Sequence, residues 1–311
     1  MGNRCLVHRL LSRVSGAMPF LVRLRRVLPA MLALSPTAVF VFGIFLGCLI
    51  WTCVISFTSS KLIPNTDFIG FAQYARLLTT ERWIVSVQHM AVYGVAYVVG
   101  CLVIGLLLAI FIDQKVRFEN TFRAIFLFPY ALSFIVTGAV WQWLFNPSMG
   151  LNTALAGLGI TGLDLGLLAS PDTAVYGLVI ASIWQGAGLV MVILLAGLRG
   201  VDPEIWKATR VDGVSPAKTY LWIVVPELAP GILTSVVILG IAAVKVYDLV
   251  VAMTQGGPGL GSEVPAKFVM SLLFERANVG LATAGATLML LAVLCLLAPL
   301  LYLSYFRRST R

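Results

Sequence analysis

The sequence predicts an all-α, polytopic membrane protein with six transmembrane helices and a pair of short cytoplasmic helices between spans four and five. Three observations carry this prediction. Of the 311 residues, 59% are hydrophobic and only 11% are charged, less than half the roughly 25% charged content of soluble domains. Six apolar stretches are long enough to cross a hydrocarbon core of about 30 Å, which takes roughly 20 helical residues. The basic residues gather on alternate connections, as the orientation rule for spanning helices requires.

The N-terminal segment, residues 1–29, carries Arg4, Arg9, Arg13, Arg23, Arg25 and Arg26 and no acid. It resembles the basic start of a secretory signal, but the apolar run behind it is too long and lacks a small-residue cleavage site, so it is expected to be retained. Span one covers residues 30–57 and contains Gly43 and Gly47, a Gly-x-x-x-Gly that favours close helix packing. Span two covers 87–112, with His89 at its interfacial start. Lys115, Arg117 and Arg123 mark the link to span three, 122–145. That span ends in Trp141, Trp143 and Phe145, before Asn146-Pro147 and the pair Gly150 and Asn152, an arrangement suited to an aromatic belt at the membrane surface.

The loop that follows holds Gly157, Gly159 and Gly162 with Asp164 close behind. This is not a dinucleotide fingerprint, because no strand precedes it and the acid follows far too soon. Span four, 174–198, sets Trp184 beside Gln185 in its outer half. A ring plus an amide is a common way to hold a sugar, through stacking and directional hydrogen bonds. An aromatic filling a helix interface is the equally open structural reading.

Between spans four and five lies a polar island, residues 196–230. Asp202 caps a first short helix with Pro203 at its first position, where the missing N–H costs nothing. Gly213 supplies a left-handed stop, and Ser215-Pro216 starts a second helix that runs toward Pro226. Tied at both ends to membrane helices, such a pair is a lever for a soluble partner. Span five, 231–253, contains Lys245 and Asp248, the charges well inside a span. Read as one continuous helix, it puts them at i and i+3 on a shared face, where they either neutralise one another or serve a watery cavity. Span six covers 281–306 and is followed by Arg307, Arg308 and Arg311.

Orientation follows from charge. Sixteen Lys and Arg residues lie in the tails, the link between spans two and three, and the island, where Arg199, Lys207, Arg210 and Lys218 sit. Against them stand Lys61, Arg76, Arg82, Lys267 and Arg276 on the other side. Both termini and the island are therefore expected in the cytoplasm, which an even number of spans also requires. The predicted organisation is a basic tail 1–29, a permease domain 30–306 with its coupling loop at 199–228, and a tail 307–311. The net charge of +9 is accounted for by orientation and anionic lipid, because the basic residues flank spans and form no nucleic-acid-binding module.

The residue inventory excludes several chemistries. No phosphate-binding Gly-x-x-x-x-Gly-Lys-Ser/Thr is present, so ATP-driven motion requires a partner that binds ATP-Mg, and no cofactor is expected in the chain itself. The two histidines, His8 and His89, form no His-Glu-x-x-His. Cys5, Cys48, Cys53, Cys101 and Cys295 are an odd set with no paired external positions, so neither a disulfide nor a metal site is expected.

The island resembles the cytoplasmic loop of ABC-importer permeases, whose motif runs Glu-Ala-Ala, three residues, Gly, nine residues, Ile, any residue, Leu-Pro. Ala208, Gly213, Ile223 and Pro226 fall at the matching intervals, while Lys207, Thr209 and Val225 depart from it. KVYDLVVAMTQGGPG is similar to the end of the fifth core helix in the sugar-transporting branch, with its Thr-x-Gly-Gly-Pro turn at Thr254, Gly256, Gly257 and Pro258. FPYALSFIVTGAVWQWLFNP resembles that branch's third core span. DFIGFAQYARLL resembles its outer segment after the first span, although His89-Met90 replaces the usual Asn-Thr downstream. A Trp two residues before a Gly, as in Trp184 and Gly186, touches substrate in the maltose-type members.

The resemblance spans about residues 36–305 and implies a permease subunit of a carbohydrate-uptake, binding-protein-dependent importer of the maltose/glucose type in a bacterial inner membrane. It implies a second homologous permease, two cytoplasmic ATPases, an external solute-binding protein and a sugar of the glucose, mannose or α-glucoside kind. ATP binding then closes the ATPases, the cytoplasmic helices follow, and the spans switch access. The implied substrate path is Trp184, Gln185, Lys245, Tyr247 and Asp248. Coupling to the ATPase falls to Asp202, Glu204, Lys207, Ala208, Thr209, Arg210, Asp212 and Gly213. The subunit itself catalyses no covalent reaction. The alternative is a secondary transporter or channel driven by an ion gradient through Lys245 and Asp248. Against it stand the lack of a half-to-half repeat and a helix pair left without purpose. A membrane enzyme is more distant, for want of a catalytic set.

Overall fold

A computed structural model describes residues 29, 31, 33–65, 67–114, 116–159 and 165–309. The basic segment up to residue 28, Lys115, Gly162, Asp164 and Arg311 lie outside them. The chain falls into two compact units, one ending at Val54 and the other beginning at Ile55. The apolar run Ala33–Ile55 is helical (α1) and, up to Val54, belongs to the first unit, with a π-helical stretch at Val39–Phe45.

The second unit is helical too, and among the described residues its β pairing is a single isolated bridge, Thr58 to Phe68. A short amphipathic helix, Ala72–Thr79 (α2), buries Gln73 and Leu77, and the Gln73 amide donates to the Thr58 carbonyl at 3.0 Å. The long helix Glu81–Asp113 (α3) follows. Its 33 residues extend about 50 Å, longer than a hydrocarbon core, so its ends project beyond it.

The third predicted span is not one helix. Glu119–Ala131 (α4) and Phe134–Leu144 (α5) meet at a bend of 96°. Pro129 lies in the last turn of α4, and Leu132 and Ser133 are extended. Ser133 then caps α5 by accepting from the Val136 N–H at 3.3 Å. Pro129 offers no N–H to the ladder and its ring crowds the carbonyl one turn earlier, which weakens the end of α4, while Ser133 satisfies a donor of the new helix. After Leu151–Gly157 (α6) comes Ala174–Leu198 (α7), the central helix. Of its most apolar window 67% is buried, against 28% for α3 and 22% for the last helix. Small residues allow that burial. A Cβ on Gly188 would strike the Phe126 carbonyl of α4, and one on Gly105 of α3 would come within 2.7 Å of Val190.

Next come Pro203–Val211 (α8) and Pro216–Glu227 (α9), the latter meeting Ala229–Val244 (α10) at 69°. The predicted fifth span also breaks. α10 ends at Val244, residues 245–247 are non-helical, and Asp248–Met253 forms a separate helix (α11). Pro265–Phe274 (α12) and Val279–Ser309 (α13) complete the order. Among the described residues, four helices are long and apolar enough to cross a membrane, or up to six if α4–α5 and α9–α10 each count as one span.

Candidate functional site

The break between α10 and α11 opens a cavity of about 330 Å³. Lys245, Tyr247 and Asp248 line it from the break, Tyr93 and Tyr97 from α3, and Phe134 from the start of α5. The two α3 tyrosines stack with ring centroids 5.6 Å apart at an interplanar angle of 17°. Tyr93 is fixed further by a 2.7 Å hydrogen bond between its hydroxyl and that of Ser182 on α7. Four aromatic side chains, one ammonium and one carboxylate thus line a space large enough for a small polar molecule.

Of the two readings of Lys245 and Asp248, the neutralising pair on one helix face does not form. Lys245 is the C-terminal cap of α10, and Asp248 opens α11. Among the described residues no ion pair joins them. Each charge sits instead at the helix end whose backbone dipole favours it, the cation at a C-terminus and the anion at an N-terminus. The i, i+3 geometry assumed a continuous helix, and the break removes it. Both side chains are exposed in the single chain.

Trp184 and Gln185 do not share this cavity. Trp184 lines a separate, apolar pocket of about 550 Å³ with residues such as Phe126, Pro129 and Ile183, and its ring meets Trp141 edge-on at 5.9 Å. Gln185 is buried, and its amide donates to the Leu132 carbonyl at 2.8 Å. It thereby satisfies an acceptor that the break between α4 and α5 leaves without a helical partner, while its own Oε1 finds no partner among the described residues. Neighbours in sequence, these two side chains do different work.

The helix pair follows the local signals. The Asp202 carboxylate accepts from the Glu204 N–H at 2.9 Å, with Pro203 in the first turn. Gly213 has φ +66°, and the Val214 N–H returns to the Thr209 carbonyl at 3.0 Å. Trp206 of α8 and Tyr220 of α9 pack edge-on at 5.3 Å. Gln114 donates to the Tyr220 hydroxyl at 2.9 Å, and Arg199 bridges to Glu119 at 2.6 Å and Asp113 at 4.0 Å. Tyr220 thus ties the pair to the end of α3, while Arg199, at the end of α7 that leads into the pair, joins α7 to the end of α3 and the start of α4. Glu204, Lys207, Ala208, Arg210 and Asp212 are exposed, whereas Thr209 is buried. Exposed Val211, Leu221 and Trp222 add an apolar component that the motif comparison did not single out.

Sequence reasoning also missed Tyr93, Tyr97 and Phe134, which read as ordinary core aromatics, and the ion pair between Arg82 and buried Glu263. The signal for Glu263, a carboxylate close behind a Gly-Gly-Pro turn, is too common to be informative alone.

Residues 101–310 match the family described as binding-protein-dependent transport system inner membrane component. A probable ABC transporter permease protein of Pyrococcus horikoshii is 37% identical over 281 residues, 89% of this chain and 96% of that protein. The xylose/arabinose import permease protein XacH of Haloferax volcanii is 34% identical over 255 residues, 81% of this chain and 80% of that protein. A chain from a solved bacterial alginate ABC transporter, in complex with an alginate pentasaccharide-bound periplasmic protein, has a TM-score of 0.74 at 19% identity. It covers 88% of this chain and 94% of its own, a likeness of fold.

Proposed function

The chain belongs to the family of binding-protein-dependent transport system inner membrane components, and from that premise we propose that it is the permease subunit of an ATP-driven sugar importer. It is a membrane translocation subunit and not an enzyme. One observation carries the mechanistic reading: a capped, glycine-stopped helix pair, α8 and α9, is tied by Gln114–Tyr220 to the end of α3, and Arg199 locks the end of α7 that leads into it to α3 and α4. Its charged and apolar outward residues give a separate ATPase a surface to grip, and the chain has no phosphate-binding loop of its own.

In this reading α8 and α9 face the cytoplasm of a bacterial inner membrane, and two ATPases bind ATP-Mg. A second, homologous permease completes the path, and an external solute-binding protein delivers the sugar. Closure of the ATPases moves the helix pair, and the motion passes through the ends of α3, α4 and α7 to the cavity at the α10–α11 break. Lys245, Tyr247 and Asp248 hold sugar hydroxyls there, the ammonium donating and the carboxylate accepting, while the stacked tyrosines pack against the ring. Gln185 acts on the path by holding the α4–α5 break in place, and Trp184 forms the wall behind it. Holding the sugar more tightly in one access state of the spans than in the other is what the subunit contributes energetically; the driving force comes from the ATPases.

The test is uptake of labelled sugars by proteoliposomes holding this chain with its copurified partners. ATP-dependent uptake that persists after ion gradients are collapsed supports the importer. Uptake that needs a gradient and ignores ATP establishes the secondary carrier instead.

A further inference from the structure

The cavity at Lys245 is one of two polar openings along the same seam. Helices α5 and α11 pack side by side, so closely that a Cβ on Gly138 would lie 2.5 Å from the Ala252 Cβ. Phe134 at the start of α5 and Asp248 at the start of α11 both line the Lys245 cavity. Gln142 near the end of α5 and Thr254 just past α11 both line a second pocket, of about 560 Å³. The two helices therefore run in the same direction from one opening to the other. From Phe134 to Gln142 and from Asp248 to Thr254 the rise is about 12 and 9 Å, which sets the distance between the two.

The second pocket has a particular chemistry. Gln142 and Gln255 present side-chain amides that are exposed and, among the described residues, without a hydrogen bond of their own. Asn146 spends its carbonyl oxygen on the Ser148 and Met149 N–H groups at 2.9 and 3.2 Å. The Phe145 ring and the Pro258 face supply apolar walls. Gln255 is held at φ 52° by a stitched turn: its N–H donates to the Val250 carbonyl at 2.9 Å, the Gly256 N–H to the Thr254 hydroxyl at 3.2 Å, and the Ser262 hydroxyl to the Gly257 carbonyl at 2.8 Å. No charged side chain lines the pocket.

We propose that this pocket is a second carbohydrate subsite, which holds one neutral sugar ring against Gln142 and Gln255 before it passes along the α5–α11 seam to the Lys245 cavity. An amide offers a donor and an acceptor together, as a sugar hydroxyl requires, and a flat apolar wall suits the C–H face of the ring. An ionised ligand would find no counter-charge there. The inference rests on the sugar-permease reading above, and its test separates the two.

Uptake of a panel of radiolabelled neutral mono- and disaccharides is measured with the complete transporter in membrane vesicles, for the wild type, Gln142→Ala and Gln255→Gly. Each variant is expected to raise the apparent KM about tenfold, the worth of a hydrogen bond or two to a neutral ligand, with the maximal rate retained. Because a misfolded variant also loses uptake, Gln142→Cys is labelled in parallel with a membrane-impermeant maleimide, above the wild-type background. The transported sugar should slow that labelling severalfold. A wild type that imports no sugar of the panel overturns the permease reading and this subsite with it. A wild type that imports sugar, with unchanged KM in the variants or no protection at Gln142→Cys, overturns the subsite alone.

Discussion

Glu263 is 2% exposed, and its Oε1 accepts from both Nε and Nη2 of Arg82, at 2.9 and 2.7 Å. The same guanidinium lies 5.6 Å from the Phe268 ring, and His89 Nδ1 is 3.3 Å from the Glu263 carbonyl. This knot pins the start of α3 to the segment behind the Gly-Gly-Pro turn. Arg82→Leu would leave a buried carboxylate without its counter-charge, at a cost of about 3 kcal/mol, whereas Arg82→Leu with Glu263→Leu removes both charges and costs less. Thermal unfolding in detergent checks the order: the single variant should melt below the double. Gln185 makes a second case at this scale. Gln185→Leu leaves the part-buried Leu132 carbonyl without its donor, a loss of about 1 kcal/mol after the gain from removing the buried, partnerless Oε1. The expected signature is a lowered Tm. A Tm equal to that of the wild type would show that the bond to Leu132 is dispensable.

At the scale of elements, what was legible in the sequence follows from where the information lies. The α8–α9 pair was legible because its signals are local: a capping Asp202 with Pro203, a Gly213 that tolerates φ +66°, and a fresh start at Ser215-Pro216. The two interrupted spans were not. FPYALSF reads as one apolar run, and Pro129 alone announces a kink. The 96° turn is held by Gln185, 53 positions away, and a contact of that range has no periodic signature. The α10–α11 break was hidden for a similar reason, since the i, i+3 spacing of Lys245 and Asp248 has meaning only on a continuous helix. Tyr93 and Tyr97 were invisible as site residues because Tyr93's partner Ser182 lies on another helix and Tyr97 is placed by stacking on Tyr93. The local stop gives a direct prediction. Gly213→Val forces a β-branched side chain into the left-handed region at about 1 kcal/mol or more and swings α9 relative to α8. Such a variant should insert normally and lose stimulation of ATP hydrolysis by sugar. Stimulation at the wild-type rate would remove the helix pair from the coupling path.

The placement of charge matters at the scale of the whole molecule. Lys245 and Asp248 stand exposed in the single chain, between helices apolar enough to span a bilayer. Charges at that position face a bundle interior or a watery cavity, because lipid offers them no partner. Each is stabilised by the end of its own helix and neither by the other, so their contributions to binding a substrate should be independent. Independence is measurable with a double-mutant cycle on uptake: Lys245→Met, Asp248→Asn and the combination, each corrected for membrane abundance. The free-energy losses read from kcat/KM should add to within about 0.5 kcal/mol, as they do for groups that share no contact. A mutually neutralising pair predicts the opposite, because deleting one charge would strand the other and deleting both would restore function. Recovery of uptake in the double variant would mean that α10 and α11 close into one helix in the assembled transporter, with the cavity between them shut.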